Sequence, residues 1–368
     1  MSVKKRILVT GGFGFVGSHL IECLLGNEEN FVYVVDNLST NPIPLSKLLQ
    51  ELGKHPNLYY EICSVEEFLD RNSNNGFVDE IYHLASVVGP AGVLSHAGQI
   101  VKSIISDTYS IMDLAIRDGA RLLDVSTSEV YGGGKEGYCS ESLPKIIPAK
   151  ITVRLEYAIG KLASEVAMIN MTKVTDLNAR IIRPFNIAGP RQSGQGGFVL
   201  PRFIAQALKE QPITVFGDGG QVRAFTHVRD IVSGLVEAME HGQSGEVYNL
   251  GNPDNRMTIL ELADLVLEVT GSASPKIFVD PKTIYGPLYE EANDKFPDAT
   301  KAMNHLDWRP KFSKEEIVQD TFEYMKSLDK GLLDILAGKR VSEGRRYYSA
   351  AAEWIGRDHA PSSMDADT

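Results

Sequence analysis

The chain has 368 residues, of which 43% are hydrophobic and 23% charged, and its formal net charge is −11. This length is enough to bury a full core, and it allows either one large domain with a lobe or two domains. The acidic balance, without a long Lys/Arg stripe, argues against a nucleic-acid-binding protein, and no apolar run reaches the ~18 residues that a membrane helix needs.

The cysteines and the first residues bear on the compartment. Cys23, Cys63 and Cys139 are scattered without the spacing of a metal site, so we predict a reducing compartment and no metal. The basic start, MSVKKR, precedes an apolar run that is too short for a signal peptide. We therefore expect a cytoplasmic protein without membrane or nucleic-acid partners.

Short apolar runs alternate with helix-length amphipathic segments in the first half of the chain. The runs predict strands, and the segments between them predict helices. The predicted strands are 6–10, 31–36, 57–62, 78–85, 120–127 and 178–184, and the predicted helices are about 17–26, 103–117 and 153–171. Strand–helix alternation with two-sided apolar strands predicts the α/β class, with a Rossmann-type, doubly wound parallel sheet.

After Arg183 the elements become shorter and are punctuated by glycine, proline and arginine, which predicts a smaller C-terminal substrate-binding lobe. We assign 1–184 to the Rossmann domain, with a strand and a helix near 226–250 returning to it, and 185–328 mainly to the lobe. The tail, 329–368, is expected to be helical with a disordered end.

A glycine-rich turn follows the first predicted strand. RILVTGGFGFVG places Gly11, Gly14 and Gly17 between that strand and a helix, where a pyrophosphate can approach the backbone N–H groups closely. Asp36 ends the second strand, near the offset at which an acid binds the adenosine ribose hydroxyls. Because a carboxylate there repels a 2′-phosphate, the sequence predicts NAD rather than NADP.

A polar stretch and a Tyr–Lys pair point to a second site. Ser126 to Glu129, STSE, are polar at the place where a buried strand ends. Tyr157 and Lys161 are four residues apart, on one face of a predicted helix. A phenol with a reference pKa of about 10 is a poor base at neutral pH, and a neighbouring ammonium favours its phenolate form. The pair is therefore a candidate general base with its activator.

These features together resemble the extended short-chain dehydrogenase/reductase family, the NAD-dependent nucleotide-sugar epimerases, dehydratases and decarboxylases. The resemblance runs from about residue 5 to 328. It is carried by TGGFGFVG, Asp36, HLAS (83–86), STSEVYG (126–132), Tyr157 with Lys161, RPFN (183–186), GPR (189–191) and GGQVRAF (219–225).

The resemblance implies roles for matching residues. Thr127 would orient the reacting hydroxyl of the sugar, Tyr157 would take its proton, and Lys161 would bind the nicotinamide ribose and lower the pKa of the tyrosine. The expected cofactor contacts are Gly11, Phe13, Gly14, Phe15, Val16, Gly17, Asp36, Asn37, Ser64, Leu84, Ala85, Ser86, Tyr157, Lys161 and Pro184. The expected substrate contacts are Ser128, Arg154, Asn186, Arg191, Arg202, Gln221, Arg223, Tyr289 and Lys295.

The resemblance also implies partners. The substrate is expected to be a nucleotide sugar, most simply a UDP-linked one. Relatives use the helices equivalent to about 103–117 and 155–170 in a dimeric four-helix bundle, so a homodimer is expected, although packing against the sheet would explain their apolar faces too.

Oxidation of the sugar at carbon 4 opens several reactions. The 4-keto sugar can be reduced on its other face (epimerase), lose water across carbons 5 and 6 (dehydratase), or lose a carbon 6 carboxylate as carbon dioxide (decarboxylase). Glu129 favours decarboxylation, because UDP-glucuronate decarboxylases carry a glutamate there and simple 4-epimerases need no acid, although GDP-mannose 4,6-dehydratases have a similar TSE. The structural alternative is a glutamate that faces solvent or caps the next turn.

Five further positions bear on the reaction. Arg154 and the segment 284–298, in which Tyr289 would touch the substrate, resemble the decarboxylases. The arginine that decarboxylases carry two residues before the proline is Lys295 here, a point charge instead of a bidentate fork. Arg191 and Arg202 are further candidates for clamping a carboxylate or phosphate.

UDP-glucuronate decarboxylation is therefore the first hypothesis and 4-epimerisation of a UDP-sugar or UDP-uronate the second. A 4,6-dehydratase and a non-catalytic NAD-binding relative are the remaining alternatives, and the presence of Thr127, Tyr157 and Lys161 argues against the last of these.

Overall fold

Strands and helices alternate through most of the chain. A computed structural model describes residues 4–41, 43–72, 78–132, 138–147, 149–285, 289 and 294–336. The strands are β1 (Lys5–Thr10), β2 (Asn30–Asp36), β3 (Leu58–Ile62), β4 (Glu80–His83), β5 (Arg121–Val125), β6 (Tyr138–Cys139), β7 (Asn178–Pro184), β8 (Ile187–Ala188), β9 (Ile213–Phe216), β10 (Val222–Ala224), β11 (Thr226–His227), β12 (Val247–Leu250), β13 (Arg256–Thr258), β14 (Lys276–Val279) and β15 (Phe296–Pro297).

Helices occupy the connections between these strands. They are α1 (Phe15–Leu25), α2 (Leu45–Leu52), α3 (Val65–Arg71), α4 (Pro90–Ser95), α5 (Ile100–Asp118), α6 (Val153–Val174), α7 (Val199–Leu208), α8 (Val228–His241), α9 (Ile259–Thr270), α10 (Lys282–Tyr285), α11 (Thr300–His305), α12 (Lys314–Lys326) and α13 (Lys330–Leu336), with 3₁₀ turns at Ser128–Tyr131 and Gly194–Gly196. Within the described part of the chain, no helix is both long enough and apolar enough to cross a bilayer.

The central sheet of the described residues has seven parallel strands in the order β12-β7-β5-β4-β1-β2-β3. The chain builds outward from β1 to β3 and then from β4 to β12, so the strand order reverses beside β1. Ligands of open α/β sheets bind outside the carboxyl ends of the strands at such a reversal. The predicted doubly wound, Rossmann-type sheet is confirmed.

Alternating side chains of the strands pack into two cores, one on each face of the sheet. Val9 and Leu123 lie on the face covered by α1 and α8, whereas Leu8 and Leu122 lie on the face covered by α5 and α6. Both faces are thus apolar, which explains why these strands appear as continuous hydrophobic runs in the sequence.

The chain leaves the sheet after β7 and returns to it. β12 pairs with β7 in parallel, with Val247 opposite Ile181, and α8 packs beneath the two strands. Two small pairings, parallel β9–β14 and antiparallel β10–β13, lie in the segments before and after this return, together with α7 and α9. The helix α13 begins the tail, and residues 337–368 lie outside the described range.

Two strands end earlier than the sequence pattern predicts. β4 ends at His83 and β5 at Val125, two residues before the predicted ends of 85 and 127. The last ladder bond of β4 runs from the N–H of Leu84 to the carbonyl of Thr10, and a 3₁₀ turn capped by Thr127 follows β5. The residues that follow these strands therefore lie at the carboxyl edge of the sheet.

Candidate active site

The glycine turn between β1 and α1 has no room for side chains at two positions. Gly11 has a φ of +68°, and a Cβ atom there would lie 2.7 Å from the backbone nitrogen of Ala85. A Cβ atom at Gly17 would lie 2.3 Å from the carbonyl oxygen of Gly11. The turn therefore presents bare backbone at the amino end of α1, which suits a pyrophosphate.

Asp36 holds this turn from the end of β2. Its carboxylate accepts hydrogen bonds from the backbone N–H groups of Phe13 (2.9 Å) and Leu38 (2.7 Å). Burial raises the pKa of Asp36 in spite of these donors. The Phe13 ring is buried in the core, edge-on to Tyr60, so this residue meets the turn through its backbone.

The loop after β4 lies against the same turn. The N–H of Leu84 donates to the carbonyl of Thr10 (3.0 Å), and Ala85 is the residue that a side chain at Gly11 would strike. The Ser86 hydroxyl is buried without a hydrogen-bond partner among the described residues. An orphaned hydroxyl beside a bare glycine turn fits a dinucleotide, so Gly11, Gly17 and Ser86 would hold one.

The other predicted cofactor contacts lie in α1, after β2, at the end of β7 and at the start of α3. Ser64 caps α3: its Oγ accepts from the N–H of Glu67, and the Glu67 carboxylate accepts from the N–H of Ser64. The Asn37 side chain is exposed and accepts from the N–H of Ser39. Phe15 and Val16 are partly buried in α1, and Pro184 ends β7. The cap gives Ser64 a structural role that the sequence analysis did not foresee.

Gly11→Ala is expected to weaken NAD binding at least about tenfold, because the new methyl group must push the Ala85 backbone away from the turn. Gly119→Ala is the matched control, since Gly119 has a φ of +65° and a Cβ atom there would have no described atom within 4 Å. Both variants carry the same backbone strain. The NAD affinities from titration calorimetry therefore separate the effect of strain from the effect of the lost space in the turn. Equal NAD affinity in the two variants would contradict the assignment.

The stretch after β5 forms a capped 3₁₀ turn. Thr127 stands at its N-terminus, and its Oγ1 accepts a hydrogen bond from the N–H of Glu129 (3.1 Å). Ser128 is buried within the turn. The hydroxyl-rich sequence is therefore explained locally, since threonine is a preferred N-cap and holds the following glutamate in a fixed direction.

Thr127, Tyr157 and Lys161 come together beneath this turn. Tyr157 and Lys161 lie on α6, which begins where Thr152 caps the N–H of Leu155 (3.2 Å). Burial raises the pKa of Tyr157, and a hydrogen bond with Thr127 lowers it in part. The Lys161 ammonium donates to the carbonyl of Val125 at 2.8 Å.

The predicted lowering of the pKa of Tyr157 by Lys161 stays a prediction, since the described influences on this pKa are burial, Thr127, Glu129 and Asp124. Desolvation is the largest influence on Tyr157 and raises its pKa, because a buried phenolate loses its hydration. An oxidised nicotinamide would add positive charge near the phenol and favour its phenolate form.

Glu129 is enclosed between two cations. One carboxylate oxygen accepts from the ammonium of Lys295, and the other accepts from Nη1 of Arg154 at 2.9 Å. Burial alone would raise the pKa of Glu129, but Lys295 and Arg154 outweigh it and lower the pKa to about 2. The glutamate therefore neither faces solvent nor caps the turn. Burial lowers the pKa of Lys295, which is 2% exposed.

The low pKa of Glu129 predicts an acid-sensitive contribution to stability. Because the folded-state value of about 2 lies below the ordinary 4.5, this contribution is present above pH 4.5 and is lost as the pH falls towards 2. We expect the free energy of unfolding to drop more between pH 5 and pH 3 in the natural chain than in Glu129→Gln. Urea unfolding at both pH values measures this, and parallel losses in the two proteins would be the contrary result.

A buried polar network supports the 3₁₀ turn from below. Arg183 of β7 pairs with Glu165 of α6, Ser126 donates to the same glutamate, and Arg183 also donates to the Tyr131 hydroxyl at 2.9 Å. Tyr131 in turn donates to Asn249 of β12 at 2.8 Å. The sequence analysis missed this network.

A sequence signal for the network was present, because Glu165 continues the four-residue spacing of Tyr157 and Lys161 along one face of α6.

Several of the predicted substrate contacts lie on or beside β10. Arg223 is buried on β10, with its Nη1 3.6 Å from a carboxylate oxygen of Asp294, and its backbone bridges to Lys295. Asn186 donates to the carbonyl of Ala224 (3.3 Å), and Gln221 donates to the carbonyl of Phe216 (3.3 Å).

A second group lies around Phe216. The guanidinium of Arg202 stacks on the Phe216 ring at 3.9 Å, and the buried Tyr289 meets the same ring edge-on at 6.3 Å. The aromatic–guanidinium stack is a surface suited to a planar base.

Arg191 does not join this group. Its guanidinium pairs with Glu51 of α2 at 3.0 Å and with Glu22 of α1 at 3.0 Å. Arg191 thus joins the loop after β8 to the outer helices, and its role in clamping the substrate stays a prediction. Among the described residues, no cluster of histidine, cysteine and acidic side chains is placed to hold a metal.

Comparison with known proteins supports this description. The profile of the NAD dependent epimerase/dehydratase family matches residues 7–251. The chain is 33% identical to a UDP-N-acetyl-alpha-D-glucosaminuronate decarboxylase of Bacillus cytotoxicus over 89% of this chain and 99% of the relative. It is 38% identical to UDP-glucuronic acid decarboxylase 1 of Arabidopsis thaliana over 85% of this chain and 68% of the relative.

Solved structures agree on the fold. The crystal structure of UDP-glucuronic acid 4-epimerase from Bacillus cereus, in complex with UDP-glucuronic acid and NAD, superposes with a TM-score of 0.74 at 28% identity. The match covers 87% of this chain and 99% of the epimerase.

Proposed function

The chain belongs to the NAD-dependent epimerase/dehydratase family, and we propose that it decarboxylates a UDP-linked uronic acid. It is an enzyme that uses NAD, as the family does. The observation that carries the choice of reaction is Glu129 enclosed between Lys295 and Arg154, beside Thr127 and Tyr157.

NAD would supply the chemistry of a reversible oxidation, taking a hydride from sugar carbon 4 and later returning it. Tyr157 takes the proton of the carbon 4 hydroxyl, which Thr127 orients through a hydrogen bond. Thr127 is close enough to Tyr157 to lower its pKa, so one sugar hydroxyl can reach both side chains.

The cation cluster suits a substrate that carries a carboxylate. Lys295 and Arg154 share the single carboxylate of Glu129, and they are partly or fully buried, so their charges act in a poorly screened environment. A uronate would bring a second carboxylate to the same two cations. A neutral sugar would bring none, and it would leave the pairs with Glu129 undisturbed.

The same cluster can manage the proton balance of decarboxylation. The 4-keto uronate is a β-keto acid, so breaking its bond to carbon dioxide leaves an electron pair at carbon 5 that must receive one proton. Burial and the neighbouring Arg154 and Arg223 lower the pKa of Lys295, although Glu129 opposes them, which makes this ammonium a stronger acid than an exposed lysine. We assign Lys295 the role of proton donor and Glu129 that of its partner.

The names of the relatives support a uronate substrate. The Bacillus cytotoxicus and Arabidopsis proteins are decarboxylases of UDP-N-acetylglucosaminuronate and UDP-glucuronate. The two substrates differ at carbon 2, away from the carboxylate, so the cation cluster does not distinguish them.

Incubation of the protein and NAD with each UDP-uronate, with carbon dioxide and the sugar product measured, tests this function. We expect one mole of carbon dioxide per mole of pentose-type product with at least one of the two. No carbon dioxide from either substrate would exclude the proposal.

A UDP-uronate 4-epimerase is the second candidate. The superposition with the Bacillus cereus 4-epimerase favours it, because that enzyme binds UDP-glucuronic acid and NAD. The same assay separates the two reactions, since an epimerase returns a six-carbon uronate of the other configuration and releases no carbon dioxide.

A homodimer through α5 and α6 is part of this proposal. The two helices pack against each other and bury Ile104 and Ile111, yet they leave Tyr109 (47% exposed) and Val166 (52% exposed) at the surface. An outer apolar face on a helix pair suits a four-helix contact with a second copy. Light scattering measures the mass, and Val166→Glu is expected to shift a dimer towards monomer.

A further inference from the structure

The buried polar network below the 3₁₀ turn includes an amide of the central sheet. Asn249 lies on β12, is fully buried, and uses both ends of its side chain. Its Oδ1 accepts a hydrogen bond from the Tyr131 hydroxyl at 2.8 Å. Its Nδ2 donates to the carbonyls of Cys139 (2.8 Å) and Asp298 (3.2 Å). One amide therefore joins three segments that are distant in sequence.

Two of these segments form the short sheet beside Lys295. β6 and β15 have two residues each, and they pair in parallel, with Cys139 opposite Pro297. Lys295 directly precedes β15, and Asp298 directly follows it. A two-stranded pair of this length has little stability of its own, so its position depends on contacts with the rest of the molecule.

β12 supplies such contacts from its backbone as well. The N–H of Asn249 donates to the carboxylate of Glu141, two residues after Cys139, at 2.7 Å. A Cβ atom at Gly251 would lie 2.6 Å from the Pro297 ring, so this glycine brings its backbone directly against β15. Since β12 is the edge strand of the seven-stranded sheet, it joins the β6–β15 pair to that sheet.

The third segment is the turn that carries Glu129. Tyr131 is the last residue of this 3₁₀ turn and is buried. The N–H of Gly132 closes the turn on the carbonyl of Glu129 at 3.0 Å. The hydroxyl that bonds Asn249 therefore belongs to the same short turn as the carboxylate that pairs with Lys295.

The ion pair between Glu129 and Lys295 needs both segments in place. The two residues are 166 positions apart, and Lys295 is only 2% exposed, so its ammonium is removed from water. A desolvated ion pair is favourable only with good geometry, because a displaced partner leaves a charge that is neither hydrated nor paired. An amide that bonds to both segments is therefore placed to maintain this geometry.

We propose that Asn249 is a positioning residue, whose amide holds the β6–β15 pair against the 3₁₀ turn and so keeps the Lys295 ammonium on the Glu129 carboxylate. The catalytic consequence rests on the function proposed above. There the bond from carbon 5 to the carboxylate breaks, and the electron pair left at carbon 5 takes a proton from Lys295. An ammonium displaced by about 1 Å donates this proton more slowly, whereas Tyr157 and Thr127 still act at carbon 4.

Asn249→Leu tests the proposal, because leucine has the same branching and no polar atoms. The readout is the coupling between Glu129→Gln and Lys295→Met in urea unfolding, measured with and without Asn249→Leu. We expect the coupling to fall to less than about half in the Asn249→Leu background, since the two charges no longer meet in good geometry. A purely structural asparagine would destabilise all four proteins of the cycle equally and leave the coupling unchanged.

Asn30→Leu is the matched control. Asn30 begins β2 at the amino edge of the same sheet, is buried, and donates from Nδ2 to the carbonyl of Leu24 at 2.8 Å. Its substitution is expected to lower the free energy of unfolding but to leave the coupling at its natural value. Natural coupling in the Asn249→Leu background would overturn the proposal, and so would an equal loss of coupling in both backgrounds.

Tyr131→Phe is a milder variant that decides the question if Asn249→Leu does not fold. It removes the hydroxyl between the turn and Asn249, and it leaves the donors to Cys139 and Asp298 in place. We expect the coupling between Glu129 and Lys295 to fall here too, because the turn is no longer tied to β12. An unchanged coupling would contradict the proposal.

The reaction provides a second readout in the NAD-loaded protein. With the UDP-uronate that the natural protein accepts, Asn249→Leu is expected to form the sugar product about 10–100-fold more slowly. The absorbance of the reduced cofactor should still appear at nearly the natural rate, and equal losses in both steps would contradict a selective effect on Lys295. If no UDP-uronate reacts, the proposed function fails, whereas the unfolding cycle needs no turnover and still decides the role of Asn249.

Discussion

Tyr157→Phe should retain NAD and fold normally but lose about 10²–10⁴-fold in kcat, which is the usual contribution of a positioned general base. The phenyl ring fills the same buried space, so the loss is confined to the hydroxyl that bonds Thr127. The measurement is the initial rate of carbon dioxide release with the UDP-uronate that the natural protein accepts.

Tyr248→Phe is the control for this substitution. Tyr248 is also buried, in β12, and its hydroxyl accepts a hydrogen bond from the N–H of Gln243 at 3.1 Å. The loss of this hydrogen bond should lower the free energy of unfolding by about 1 kcal/mol and leave kcat unchanged. A Tyr157→Phe variant within tenfold of the natural rate would remove Tyr157 from the mechanism.

Lys295→Met should lower the free energy of unfolding by about 3 kcal/mol and abolish decarboxylation. The reason is that Glu129 stays partly buried and ionised with Arg154 as its remaining partner, because the methionine supplies similar volume but no charge. Urea unfolding at pH 7 gives the first quantity, and the carbon dioxide assay gives the second.

A double-mutant cycle separates the two effects. Adding Glu129→Gln to Lys295→Met removes the unbalanced charge, so most of the lost stability should return while the activity stays absent. Lys276→Met is the matched surface control, since Lys276 pairs with Asp264 at an exposed position and should cost at most about 1 kcal/mol. Full activity in Lys295→Met would contradict the proton-donor role.

Lys295 also tests how far the lobe is adapted to its substrate. Lys295→Arg restores the residue of the decarboxylases that the chain resembles, and its longer guanidinium must enter a fully buried position. The assigned roles of the site residues stay predictions until these variants are measured.

The periodicity of the sequence predicted the sheet well, and the fold class, the family and the use of NAD are confirmed. Apolar runs such as RILVT and ARLLDV form strands because both faces of a parallel sheet are covered by helices. The strand ends were predicted less well. Residues 84–85 and 126–127 continue the pattern in sequence, but their backbones turn away at the edge of the sheet.

The contacts of single polar and charged side chains depend on distant parts of the chain. Arg191 follows a family motif, yet the structure pairs it with Glu22 and Glu51, because the loop after β8 passes close to α1 and α2. Ser64 was predicted to contact the cofactor and caps α3. A motif identifies a residue type at a position, whereas the partner of its side chain depends on chain segments that are distant in sequence.

The sequence by itself determined the elements, the glycine turn and the Tyr–Lys spacing, because these depend on neighbours within a few residues. The tertiary structure decided the cluster of Glu129 with Lys295, which are 166 residues apart. The physical reason is that ionisation depends on burial and on the distance between charges, and both are properties of the packed chain.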